Sequence, residues 1–454
     1  MTAEATTERP TAERLGRFVA ETSIEDLPPE VRETAVRAIT DGIGVTLAGL
    51  ATDSTEITGS FTDTLPREGL PLGGETDAAL AERALHLGTA AHALDYDDLS
   101  WAMDGHPTVV LLPPILALAD AVEPNGEEVL TAYAVGFETA SYVAYPISPG
   151  HYEAGWHATS TFGAIAATAT AASLLDLDAE TAATALNVAA STPSGLKENF
   201  GTMTKPLHAG LAARSGVTSA LLARDGFTAG ETAIEGSKGF WSVYSGTSDF
   251  DGETSPVMPG EEWVLAKSGI HLKKYPACYF THSSIAATRS LLEAEDVDPT
   301  TVERVEVEAS AGAGDALVYT DPETALQSKF SMPHAVAVAM TADRVSLDWF
   351  EPEAVGDETL AARRSLVDFS VDDDLEYDSH TARVTIATLE GTYREERSHP
   401  PWTHQEPPTA AELEAKFVET STQTVSESSA REAFERLQAL ESVGFLEALE
   451  SVTD

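Results

Sequence analysis

Four short stretches gather the acid–base residues of a 454-residue chain that is otherwise apolar or acidic. In HALDYDDLSWAMDGHPTVVLLPPILALAD (92–120), Asp95, Asp97 and Asp98 precede His106, and Pro107 opens an apolar helix. A carboxylate followed by a histidine at a helix start suits proton transfer or anion binding. The same aspartates could instead cap and solvate a loop, and acidic loops are too common to imply a metal. In GHYEAGWHATSTFG (150–163), His157 stands between Trp156 and a Thr/Ser/Gly run entering a helix, where an imidazole can be tuned as base or acid. A satisfied structural histidine is the competing reading. NFGTMTKPLHAGLAARSG (199–216) sets Lys205, His208 and Arg214 at near-helical spacing, and GIHLKKYPACYFTHSSIAA (269–287) carries Lys273, Lys274, Cys278 and His282.

Charge separates these stretches from their surroundings. The formal net charge is -47, yet the chain has only eight lysines, none before Lys197 and six between 197 and 274. Lysine is strongly hydrated on a long apolar stem, so one held in apolar text is expected to pair with an anion or to serve as an acid or base. Lys205 and Lys273 fit that description, whereas Lys238, in IEGSKGFW, reads as exposed. With His106, His157 and His208 they would form a positive pocket in a negative protein, suited to a di- or tricarboxylate.

The same charge excludes partners. A field this negative repels nucleic acid and anionic membranes, and it destabilises a compact fold unless salt screens it. The acidity and the scarcity of lysine therefore predict a halophilic protein, adapted to a salt-rich cytoplasm. One cysteine, Cys278, excludes an intrachain disulfide and a thiolate-ligated iron–sulfur cluster. The N-terminal MTAEATTERPTAERLGRF lacks an apolar segment, and FGAIAATATAASLL (162–175) is too short to span a bilayer, so a soluble, cytoplasmic protein is expected. No GxxxxGK[ST], GxSxG or HExxH motif is present, and the glycines of SAGAGDAL lack dinucleotide spacing.

The elements that must position these residues are mostly helices. Residues 10–50 and 77–230 show apolar recurrence at three and four residues, broken by Gly, Pro and Asp. Near 265 the pattern changes: VERVEVEAS and TARVTIATLEGTYREE alternate as half-buried strands, with a helix at SKFSMPHAVAVAMTADRV between them. After HPPWTHQEPP the chain returns to helix. The sequence thus predicts a mainly α protein: a helical domain (1–265) completed by C-terminal helices (401–454), with a smaller α/β lid inserted at 266–400.

In this order the four stretches resemble the MmgE/PrpD family, which includes 2-methylcitrate dehydratase, cis-aconitate decarboxylase and iminodisuccinate epimerase. The resemblance runs from HALDYDD through GWHATSTFGA, TKPLHAGLAARSG, EGSKGF and KKYPACYFTHSSI to PPTAAELEAKF. It implies a helical domain built from both chain ends, an inserted lid, a site between them without metal or organic cofactor, and a homodimer. It also implies that Asp95, His106, His157 and Lys205 line the site from the helical domain, with Lys273 and Cys278 approaching from the lid and His334 nearby. The decarboxylase pattern has a histidine where Cys278 stands, a tyrosine about where His334 lies and a threonine at Leu99. This chain also has one extra residue between Asp95 and His106. These departures weigh against cis-aconitate as substrate.

The expected chemistry is removal of a proton next to a carboxylate. The first reading is a hydro-lyase on a 2-methylcitrate-like polycarboxylate, with His157, Lys205 and Asp95 as catalytic groups and His106, Lys273, Cys278 and His334 binding substrate. An epimerase of a small amino- or imino-dicarboxylate is the alternative, and a non-catalytic carboxylate-binding protein the third.

Overall fold

In a computed structural model, residues 9–62, 69–70, 76–246 and 257–453 of the chain are described; the first eight residues of the N-terminal stretch read above lie outside them. The helices begin where capping chemistry predicts. Pro29 opens Pro29–Gly49, where a missing N–H costs nothing, Thr76 caps Asp77–Ala93, and Asn125 and Glu128 form a capping box at Gly126–Ala144. Thr108–Val122, Ala158–Leu174 and Thr204–Arg224 follow the histidine- and lysine-bearing stretches.

Small residues let these helices cross closely. Thr204–Arg224 packs on both Asp77–Ala93 and Ala158–Leu174. A Cβ on Gly88 would sit 2.8 Å from Gly210 Cα, and one on Gly210 would collide with the Leu85 carbonyl. The Ala/Gly run after His208 therefore sets an interhelical distance, which places Lys205 beside the end of Asp77–Ala93.

The two chain ends share one apolar core, which runs from Ala12 to Leu272 and takes in Trp402 to Val452. Helix Ala410–Ser421 lies on Pro29–Gly49, close enough that a Cβ on Gly44 would be 3.0 Å from the Phe417 ring. Separate apolar clusters occupy 275–386. There β3 (Val302–Ala309) is central in a four-stranded sheet, parallel to β4 (Val367–Val371) and antiparallel to β5 (Ala382–Thr388), which pairs with edge strand β6 (Thr392–Arg397). The alternating run at 381–396 is a hairpin of β5 and β6, turned at Gly391. The protein is mainly α with a small α/β part. Among the described residues no helix is long and apolar enough to cross a membrane.

A two-residue ribbon ties the parts together. β1 (Asp98–Leu99) pairs antiparallel with β2 (His271–Leu272), Asp98 opposite Leu272 and Leu99 opposite His271. That register delivers Lys273 next to Asp95.

Candidate active site

Three helices start around one point. His106 lies two residues before Thr108–Val122, His157 is the N-cap of Ala158–Leu174, and Lys205 lies in the first turn of Thr204–Arg224. Their free amides bring partial positive charge to one place. Asp95 follows the C-terminus of Asp77–Ala93 in the left-handed region, with φ 51°. Together they line a narrow cavity of about 60 Å³, to which the 266–400 segment adds Lys273, Cys278, Tyr279, Phe330 and His380. A larger, open groove walled by Tyr96, Arg289, Arg344 and Trp402 takes Lys274 from the fourth stretch but none of the residues expected to act on substrate.

The centre is an ion triad. Lys205 Nζ pairs with Asp95 Oδ1, and Lys273 Nζ lies 2.9 Å from that oxygen. Lys273 also donates to the Asp95 carbonyl at 3.0 Å and stands 4.0 Å from Asp97 Oδ1. Burial pushes the Asp95 carboxyl up, but the two ammoniums outweigh it and hold Asp95 well below the usual carboxylate range. Burial pulls the Lys273 ammonium down, and Asp95 and Asp97 reverse that, leaving it raised. Lys205 Nζ further lies 4.9 Å from the Phe330 ring centroid and 5.2 Å from that of Phe200, which fixes its direction. Asp95 Oδ2 is buried without a hydrogen-bond partner.

The histidines form a stack beside it. His157 Nδ1 lies 3.1 Å from His208 Nδ1, so one ring donates to the other, and His157 Nε2 is buried and unpartnered. Burial, then neighbouring His92 and Lys205, hold His157 well below the ordinary imidazole range. His106 Nδ1 donates to the Asp98 carbonyl at 2.6 Å and lies 2.7 Å from Asp97 Oδ2, which leaves Nε2 as the ring's free edge. His106 too is lowered, chiefly by burial. The expected positive pocket therefore draws its charge from lysines alone, because burial keeps the imidazoles neutral. Cys278 lines the cavity as a thiol, pushed up to about 11 by burial and then by Asp95.

His334 is not brought to the cavity wall. Its Nε2–H donates to the Trp349 carbonyl at 2.8 Å, its Nδ1 faces Arg364 at 3.4 Å, and its ring packs against Phe350. Both nitrogens are engaged structurally, which corrects the expectation of a substrate contact. Arg214 is likewise outside, paired with Glu82 on the surface, and Lys238 is exposed. His208 supports His157, and His282 is buried with Nε2 donating to the Ala277 carbonyl at 3.3 Å.

Asp97, singled out in the sequence with Asp95, lies just behind the cavity, where it accepts from His92 Nδ1 at 3.1 Å and faces His106. These three residues offer ligand atoms within 4.8 Å of one another, with His92 Nδ1 hydrogen-bonded to Asp97 Oδ1 and His106 Nδ1 to the Asp98 carbonyl. Two cavity residues escaped the sequence reading. The Tyr279 hydroxyl is buried and unpartnered, and Asp104, at φ 46°, is raised to about 6, chiefly by burial. No spacing signal marks Tyr279 or Asp104; only the fold collects them. Asp98, by contrast, is structural: it accepts from the Thr108 backbone at 3.2 Å and from its hydroxyl.

Residues 13–253 match the MmgE/PrpD N-terminal domain and residues 275–441 the MmgE/PrpD C-terminal domain. Cis-aconitate decarboxylase of Homo sapiens is 27% identical over 280 residues, 59% of this chain and 57% of that protein. The cis-aconitate decarboxylase-like protein oryM of Aspergillus oryzae is 26% identical over 381 residues, 79% of each chain. Cis-aconitate decarboxylase of Aspergillus terreus is 26% identical over 284 residues, again 59% and 57%. The matched stretch thus spans little more than half of the human and A. terreus relatives. With both domain matches in order and together covering most of the chain, the protein belongs to the MmgE/PrpD family.

Proposed function

We propose that this chain is a cofactor-independent lyase that removes a proton α to a carboxylate of a small polycarboxylate, in its first form a hydro-lyase of a 2-methylcitrate-like hydroxy acid. The site lies between a helical body (1–265 with 401–454) and an inserted lid (266–400). The carrying observation is the juxtaposition of a neutral, unpartnered His157 Nε2 with two buried ammoniums on Asp95. His157 takes the proton from carbon. Lys205 and Lys273 stabilise the charge that moves onto the substrate carboxylate as the aci-form develops. Asp95 is held ionised and has no proton to give, so Lys205 is the group that protonates the departing hydroxyl, and Asp95 orients both lysines.

One detail favours a hydroxy acid. Asp95 Oδ2 is an ionised oxygen without a donor, and a buried acceptor left unmatched is costly. A substrate hydroxyl supplies that donor; an unsaturated acid such as cis-aconitate has none to offer once ionised. The second reading, decarboxylation, rests on the names of the relatives. Incubation with four- to seven-carbon polycarboxylates in D2O at high salt, followed by NMR, separates the outcomes. Loss of water to give an alkene supports the hydro-lyase. Release of carbon dioxide supports the decarboxylase, and α-deuteration without net loss points to an epimerase. Binding with neither turnover nor deuterium incorporation would sink all three.

A further inference from the structure

Four of the eight lysines are buried, and all four reach the same three residues. Lys205 pairs with the Asp95 carboxylate. The other three cap consecutive backbone carbonyls: Lys329 Nζ donates to Leu94 O at 2.6 Å, Lys273 Nζ to Asp95 O at 3.0 Å and Lys416 Nζ to Tyr96 O at 2.7 Å. They arrive from four separate places: the Thr204–Arg224 helix, the residue after β2, the end of the short Ala325–Ser328 helix, and Ala410–Ser421.

Lys416 uses its three N–H groups fully. Besides Tyr96 O it donates to Asp41 Oδ2 at 2.9 Å and to Lys273 O at 2.9 Å. One ammonium from the C-terminal helix thus joins the first long helix, the Asp95 turn and the strand end carrying Lys273. Lys329 is less satisfied: among the described residues it has no carboxylate at ion-pair distance, and burial draws it down to about 8. A buried ammonium with a single carbonyl partner is costly and needs a reason. The turn it serves supplies one. Asp95 adopts a left-handed conformation that non-glycine residues rarely hold without support from their surroundings.

We propose that Lys329 and Lys416 are positioning residues of the active site: by holding the carbonyls of Leu94, Tyr96 and Lys273, they fix the turn that presents Asp95 to Lys205 and Lys273. This rests on the reading of that triad as the active site, and it extends the machinery to two residues outside the cavity.

The test compares Lys416→Met, Lys329→Met and the double variant Asp41→Asn/Lys416→Met with wild type, using Lys238→Met as control. Amide hydrogen exchange of peptides covering 94–99 and 271–275 is read beside turnover. Expected is exchange at least about 10-fold faster in those peptides, with global protection kept, and kcat lowered at least about 10-fold. The double variant removes the buried charge pair along with the carbonyl contacts, so it also serves if Lys416→Met alone fails to fold. If it restored both exchange and turnover, Lys416 would merely neutralise Asp41 and the proposal would be overturned. Unchanged exchange at 94–99 in both Lys329→Met and the double variant would overturn it too. Should His157→Asn and Lys205→Met leave turnover intact while exchange responds as expected, the active-site reading fails and the clasp stands.

Discussion

At the scale of single residues, burial does most of the chemistry. It strips the histidines of charge, so a neutral imidazole and two ammoniums coexist within one small cavity. Replacing His157 by Asn or Lys205 by Met should cut turnover by about 10²- to 10⁴-fold with little change in melting temperature, as steady-state kinetics beside thermal melts would show. Asp97→Asn should cost less, about 10-fold, because it removes the carboxylate beside His106 while the Asp98 carbonyl still accepts from that ring. Asp104 gives a pH prediction. Raised to about 6, it is neutral below that value and a carboxylate above it. An anionic substrate should therefore bind less well as pH rises through about 6, seen as a rising KM. Asp104→Asn should flatten that dependence; a KM that keeps rising in the variant would assign it elsewhere.

Elements decide whether those residues meet. The Gly88–Gly210 contact lets two helices approach until Lys205 reaches Asp95, so Gly210→Ala should act at a distance. The expected result is a loss of about 1–3 kcal/mol of stability, read by denaturant unfolding, with reduced turnover although residue 210 touches no substrate. A wild-type melting curve with normal kinetics would show that the crossing tolerates expansion. Lys197 ties this region to the 266–400 segment by contacting both the Tyr152 carbonyl and Tyr377.

Over the whole molecule, charge and buried imidazoles govern stability. With a net charge of -47, self-repulsion should make the melting temperature climb steeply with KCl and level off near about 1 M, where the screening length falls to about 3 Å. Equal melts at low and high salt would refute the halophilic reading. The pH dependence follows from the depressed histidines. His86, His151 and His334 fall to about 4 and His92, His271 and His380 to about 3, each chiefly through burial. Between these values and the ordinary 6.5 the unfolded chain binds protons that the folded chain refuses, so stability is full above about 6.5 and is lost as pH falls. Asp98 and Glu138, raised to about 7, oppose this: they favour the fold at low pH and lose that contribution as pH rises toward 7. The histidines are more numerous, so acid unfolding should begin below pH 6.5, measurable as a falling denaturant midpoint.

The sequence alone determined what depends on local pattern and composition. Helical periodicity, the change to strand alternation near 265, the scarcity of lysine and the stretches around Asp95, His106, His157, Lys205 and Lys273 could all be read without coordinates. Cys278 lines the cavity and His334 does not, because contacts to Trp349 and Arg364 hold its ring elsewhere. Only the tertiary structure decided the rest. Asp97 became a shared acceptor because two histidines on different elements face it. Lys329 and Lys416, unremarkable in sequence, are drawn to the same turn as Lys205 and Lys273 from more than 200 residues away. The physical reason is that spacing along the chain encodes which face of an element is buried. Which buried polar groups then find one another depends on how faces far apart in sequence pack.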